Sequence, residues 1–411
     1  MSALDSTNVL RPAPKGIKGL IQRATFAAMP WFFSLLRRVK PVARLGNNYL
    51  TSRYDDVREV FATDPAFGVV YKPKLDVIMG GQPFFLGMGD TPQYRHDTEA
   101  MRKVVRPADL PMLAARVESL AEAIVAAAPG RIEVVDALVR RVTFAFLSEY
   151  LGVPEPERGM LSVWATRLFE FQFADQGNDP ALRAEVDEIA PALRAHIQRE
   201  IERRRSDPQG DDVLARCLRM QAAGESGFDD DAIRTALMGF IVGGPPQPPM
   251  VVPQAMEQLL RRPDALAGAR AAARDGDDAR LAAHVLEAMR FDPLAPGLPR
   301  VALTEWTLAR GTRHARTIPA GATVLAAFAS AMMDPRRLAD PRRFDPARPA
   351  SDYMHFGYGL HECFGRHINH ATLHLMLKPL LKRPNLRRAP GRAGRLRKNG
   401  PFAERLELLF D

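Results

Sequence analysis

The sequence predicts a mainly α protein with small β-sheets. Long stretches repeat apolar residues at helical spacing, the extended runs between them are short, and Pro and Gly punctuate the joints. The chain has 411 residues, 46% hydrophobic and 26% charged, ordinary values for a globular protein and enough for one large domain or two.

Residues 1–20 are rich in Pro and Lys and read as an extended N-terminal segment ahead of a single domain over 21–411. The apolar stretch 24–36 is too short to span a bilayer, contains Pro30 and is followed by Arg37, Arg38 and Lys40. It is expected to dock on the domain's own core; lying on a membrane surface is the alternative. Residues 42–52 read as a hairpin turning at Gly46-Asn47-Asn48, and 55–62 as a helix. The loop 80–89 is rich in Gly and carries Phe84 and Phe85. Thr91 then caps a helix with Pro92 at its first position, ending before Pro107. Stretches 110–128, 134–151, 157–173 and 182–205 carry helical periodicity, with Phe169, Phe171 and Phe173 clustered before a turn.

Residues 231–260 open as an apolar helix holding Phe240, Ile241 and Val242, then read Gly243-Gly244-Pro245-Pro246-Gln247-Pro248-Pro249. Each interior proline removes a helical hydrogen bond and clashes with the preceding turn, at about 3 kcal/mol or more. The helix is therefore expected to unwind or kink, with a local polyproline-like stretch. Residues 281–291 form a helix with Glu287 and Arg290 three apart, followed by the strand-like 301–308 and a turn at Gly311.

The net charge is +9, and residues 382–398 carry eight basic residues and no acid. Pro384, Pro390, Gly391 and Gly394 break that run, which reads as a solvated loop rather than a nucleic-acid site. There are two cysteines. Cys217 lies in an amphipathic helical stretch and reads as packing. Cys363 stands in the glycine-rich turn Phe356-Gly357-Tyr358-Gly359-Leu360-His361-Glu362-Cys363-Phe364-Gly365, just before a helical stretch (366–381). A thiolate there suits a metal, and Gly365, lacking Cβ, lets the backbone approach something flat. Axial ligation of haem iron is one use of such a cysteine. His355, His361, His367, His370 and His374 crowd around it, so zinc is a rival, but neither paired cysteines nor a His-Glu-x-x-His helix is present.

Phe356, Gly357, Gly359, His361, Cys363 and Gly365 match, position for position, the haem-ligand signature of the cytochrome P450 family. The chain resembles that family from residues 49–68 onward: a Glu-x-x-Arg helix, an arginine strand, a Pro/Arg/Phe segment at 341–344, then the Cys turn. The resemblance implies a cytochrome P450-like fold and a haem b (iron protoporphyrin IX) cofactor. It implies Cys363 as the metal ligand, Phe356, Gly357 and Gly365 as the frame of its turn, and His361 and Arg300 as propionate contacts. The family's further propionate His and Arg correspond here to Tyr94 and Thr98, so Arg95, His96 or Arg102 are candidates to replace them. Glu287, Arg290 and Arg343 would form a buried structural cluster. Phe84, Phe85, Phe173, Phe240, Ile241 and Val242 would line an apolar substrate pocket.

In the family, the helix over the haem carries an acid and a hydroxyl residue that relay protons during oxygen reduction. Pro245 and Pro246 occupy those places here, leaving Gln247, with Gly243 and Gly244 beside it, as the distal candidates. The reading is a haem-thiolate oxidoreductase acting on a lipophilic small molecule by peroxide or hydroperoxide chemistry. The alternatives are an ordinary O₂-dependent monooxygenase served by a ferredoxin-type partner, and a non-catalytic haem-binding or sensing protein. Peroxide chemistry would need no redox partner. No nucleic-acid partner and no transmembrane segment is expected, and a cytoplasmic location fits the cysteine usage.

Overall fold

A computed structural model describes residues 2–411. Its larger apolar core lies among helices, and a smaller one lies against a five-stranded sheet. The helical core is built by Leu110–Ala126, Arg141–Leu151, Leu161–Phe169, Pro180–Arg204, Asp230–Gly243, Pro248–Leu260 and Asp278–Phe291. Helix Pro92–Val104 begins as its sequence dictates: the Thr91 hydroxyl accepts the Tyr94 N–H at 3.1 Å. The stretch predicted over 157–173 becomes helical only at Leu161.

The extended N-terminal segment is shorter than expected. It ends at Lys15, and a 24-residue helix runs Gly16–Val39. Only one face of that helix docks on the core, through Phe33 and Leu36, while Trp31 stays 70% exposed. Stretch 24–36 thus docks on the core as expected, but with one face alone.

The sheet runs Val42–Leu45, Asn48–Thr51, Thr323–Ala326, Leu298–Ala302, Phe67–Val69. The hairpin pairs Leu45 with Asn48, and the second strand joins Thr323–Ala326 in parallel. Arg300 is held mid-sheet, paired with Val324 on one side and Val69 on the other. That placement fixes the direction of its side chain without help from a flexible loop.

The proline-rich segment breaks its helix as expected, but not into a polyproline stretch. Gly244 (φ −95°, ψ −76°) and Gln247 (φ −81°, ψ −44°) both stay in the right-handed region, making a tight turn. Pro248 and Pro249 occupy the first two positions of the next helix, where the missing N–H has no helical partner to lose. The prolines start a helix more than they destroy one.

Candidate functional site

The turn before helix Arg366–Thr372 is tied closed by its own backbone. The Cys363 N–H donates to the Phe356 carbonyl at 2.8 Å, and the Arg366 N–H donates to the Cys363 carbonyl at 3.1 Å. Gly359 sits at φ +74°, with the Phe61 carbonyl pressed against where a Cβ would be. No other residue fits that approach without moving the helix Tyr54–Ala62.

The loop hangs from the helix Asp278–Phe291. The His355 imidazole bonds the Leu286 carbonyl at 2.9 Å, and the Tyr353 hydroxyl donates to Glu287 at 3.1 Å. Glu287 and Arg290 have fully buried side chains and are joined by two bonds of 2.8 and 2.6 Å. Arg290 also donates to the Pro341 and Met332 carbonyls. The predicted third member is corrected. The Arg343 side chain is exposed, and only its backbone carbonyl accepts from Arg290. Arg348, 3.3 Å from Glu287 and 5% exposed, supplies the second guanidinium.

Cys363 is partly exposed as a residue, but its thiol is deeply enclosed. Burial pushes its thiol up to about 11, opposed by the Gly365 N–H. A bound metal would supply the charge that favours the thiolate. Asn369 Nδ2 lies 3.9 Å from the sulfur. Among the described residues no three His, Cys, Asp or Glu side chains converge on a metal position. The crowded histidines are dispersed: His370 packs on Phe356, and His374 lies among Lys378, Asp278 and Glu118.

A second feature asks for an anion. Arg300 is 3% exposed, stands over the Phe61 ring, and donates only to the neighbouring Pro299 carbonyl at 3.2 Å. No carboxylate pairs with it among the described residues, and burial depresses its pKa. His361 has an unpartnered buried Nδ1, and burial and then the Arg300 charge lower its pKa to about 4. A buried cation beside an unsatisfied imidazole suits a carboxylate. Haem fits this chain on both counts: a sulfur for its iron, and Arg300 with His361 for a propionate.

The candidates on helix Pro92–Val104 are corrected. Arg95 is exposed and pairs with Asp90, and His96 bonds Asp97 and Ser226. Tyr94 faces the Cys turn instead, its hydroxyl donating to the Leu360 carbonyl at 2.7 Å and its ring 6.4 Å from His361. One turn on, Thr98 is buried with an unpartnered hydroxyl. Sequence reasoning missed Tyr71, which bonds the Leu86 carbonyl and lies within the influence of Arg300 and Tyr94. No local pattern marks it.

On the other side, Phe240 stacks on Phe364 at 5.3 Å, with Phe85 5.4 Å from Phe364. Phe84 covers Gly239, where a Cβ would overlap its ring. Phe173 packs against Tyr71 at 5.0 Å. Phe240 and Phe173 keep accessible surface; Ile241 and Val242 are 1% exposed and belong to the core. A Cβ on Gly243 would meet nothing within 4 Å, so this helix end borders open space. The Gln247 amide is folded back, donating to the Gly243 carbonyl.

The sequence profile of cytochrome P450 matches residues 160–403. The chain is 30% identical over 268 residues to cytochrome P450 monooxygenase PikC of Streptomyces venezuelae, covering 65% of this chain and 60% of that protein. It is 26% identical over 362 residues to the cyclomarin C epoxidase CymV of Salinispora arenicola, covering 85% and 87%. Ligand-free cytochrome P450 TbtJ1 superposes with a TM-score of 0.78 at 23% identity, covering 94% of this chain and 98% of that one. A mutant of P450 EryK in complex with erythromycin B superposes at 0.76 with 24% identity, covering 95% and 97%; both share the fold. No helix among the described residues is long and apolar enough to cross a membrane. With an enclosed cysteine thiol in its closed turn, a buried Arg300 that no carboxylate pairs among the described residues and a profile match over more than half its length, the chain belongs to the cytochrome P450 family, oxidoreductases built on haem b.

Proposed function

We propose that residues 21–411 act as one haem-thiolate domain that oxidises a lipophilic small molecule with an oxidant already carrying an O–O bond. A peroxide or organic hydroperoxide is the fitting class. The supporting observation is the turn between helices Asp230–Gly243 and Pro248–Leu260. From Gly243 to Pro249 it holds no acid and no hydroxyl, and its one polar side chain, Gln247, is occupied by the Gly243 carbonyl.

Cys363 would ligate the iron, and Arg300 with His361 would hold a propionate. Haem with a thiolate ligand supplies electron density that favours O–O cleavage. Phe240 and Phe173 present apolar surface to a substrate. Pro245 and Pro246 neither give nor take a proton, and a carboxamide is a poor shuttle. Reducing dioxygen would need two electrons and two protons delivered to this face. Hydrogen peroxide brings both: with a C–H substrate it yields the alcohol and water, with no outside electron or proton.

A second reading, dioxygen with a ferredoxin-type partner, is favoured by the hydroxylase and epoxidase names of the relatives. The deciding comparison uses the haem-loaded chain. Consumption of cumene hydroperoxide is measured beside NADPH-coupled oxygen uptake with a ferredoxin and its reductase. Rapid peroxide turnover with weak, uncoupled oxygen uptake is expected. Efficient coupled oxygen uptake with negligible peroxide turnover overturns the proposal.

A further inference from the structure

The N-terminal helix Gly16–Val39 is built inside out. Its inner face docks through Phe33 and Leu36, and the Arg37 guanidinium donates to the carbonyl and hydroxyl of Ser330 at 3.0 and 2.7 Å. Its outer face is apolar. Ile17 is 77% exposed, Leu20 61%, Ile21 60%, Trp31 70%, Leu35 41% and Val39 69%. At helical spacing these positions share an arc of about 100°. No partner among the described residues covers them, and a stripe this long is more than scattered surface apolarity.

The charge around the stripe says what would cover it. Between Asp5 and Asp55 there are nine Lys and Arg and no acidic residue. Arg11, Arg37 and Arg53 are engaged with the body of the protein. Lys15, Arg38, Lys40 and Arg44 are exposed at the two ends of the helix and on the hairpin it leads into, without a carboxylate partner among the described residues. Leu45, at the tip of that hairpin, is 82% exposed. An apolar stripe containing a Trp, flanked by cations and lacking acids, has the chemistry of a helix that lies in the plane of an anionic lipid surface.

We infer that helix Gly16–Val39 docks the protein on an anionic lipid bilayer. The stripe enters the headgroup boundary and Lys15, Arg38, Lys40 and Arg44 meet lipid phosphates. The helix is then a reversible surface anchor.

The test is co-sedimentation of the full haem-loaded chain with two kinds of vesicle, phosphatidylcholine alone and phosphatidylcholine mixed with phosphatidylglycerol. Binding to the anionic vesicles is expected, weakening as salt rises. Tryptophan emission should shift to the blue; Trp164 is buried and Trp306 partly so, which makes Trp31 the reporter. Replacing Trp31 and Leu35 together by Ser should lower partitioning at least tenfold. Each Lys→Gln or Arg→Gln at 15, 38, 40 or 44 should lower it about fivefold. These residues lie outside the haem site, so the haem spectrum of each variant checks its folding. No binding to anionic vesicles overturns the inference, as does equal, salt-insensitive binding to both kinds. Self-association abolished by Trp31→Ser/Leu35→Ser, without lipid binding, assigns the stripe to a second copy and also overturns it.

Discussion

Replacing Glu287 by Gln changes one oxygen to an NH₂ group and keeps the shape, which isolates the charge. Glu287 accepts from Arg290 Nε and Nη2, the Asp345 N–H at 3.0 Å, the Tyr353 hydroxyl at 3.1 Å and Arg348 Nε at 3.3 Å. A carboxamide has one acceptor oxygen and turns a donor toward this ring of donors. Two guanidinium groups then stay buried without a carboxylate. Breaking one partner of a buried pair costs about 3–5 kcal/mol, a large share of the roughly 5–15 kcal/mol that holds a protein folded. Urea unfolding of the haem-loaded chain, followed by circular dichroism and haem absorbance, measures the loss. The double variant Glu287→Leu/Arg290→Met should cost less than the sum of its singles, with a coupling of about 0.5–3 kcal/mol. A loss under about 1 kcal/mol for Glu287→Gln would show that the carboxylate is dispensable and refute its role as the anchor of the Cys turn.

Two further perturbations address the same loop. Gly359→Ala puts a Cβ against the Phe61 carbonyl at a positive φ, for a backbone cost of roughly 1–2 kcal/mol before the clash is counted; haem content per chain should fall, and full haem retention counts against the tight approach. His355 and His374 are held neutral by burial, with pKa values lowered to about 3 and about 4 from 6.5. His370 and Arg290 face the first, and Asp278, Lys378, Glu118 and His370 face the second. Protons therefore go to the unfolded chain, so this stability is complete above the unfolded pKa of 6.5 and is lost as pH falls toward the folded values. At pH 5 each should cost about 2 kcal/mol relative to pH 8. A flat profile between those pH values, or one that His374→Gln leaves unchanged, contradicts this.

What could be read from the chain alone follows where its information is contiguous. The Cys turn was legible because its chemistry is packed into ten successive residues, and the Thr91 cap because a cap acts over three. The resemblance implied Arg343, whereas the structure puts Arg348 on Glu287, and residues 332–349 hold no regular element after the helix Phe328–Ala331. Without a period, sequence cannot say which way either side chain points. Arg95 and His96 are a different failure. Helical geometry puts residues 94 and 98 on one face and turns 95 and 96 away from it, so the signal that favoured Tyr94 was present. Arg300 needed the register of three strands to become a buried cation, and Tyr71 needed the whole assembly.

The two sides of the site differ in how many contacts define them, and that difference bears on the oxidant. The Cys turn is fixed from several directions, by Glu287 through Tyr353, by the Leu286 carbonyl through His355 and by Phe61 against Gly359. The facing turn is fixed mainly by its prolines, whose locked φ angles leave little freedom to rearrange. A broken helix ordinarily exposes carbonyls that could order a water near the break. Here Gln247 already occupies the carbonyl of Gly243, next to the open space. That segment is stiff, lacks acid and hydroxyl groups and has its one amide engaged by the Gly243 carbonyl. Under the proposed function the protons would arrive with the substrate or the oxidant, the basis on which a peroxide is proposed over dioxygen.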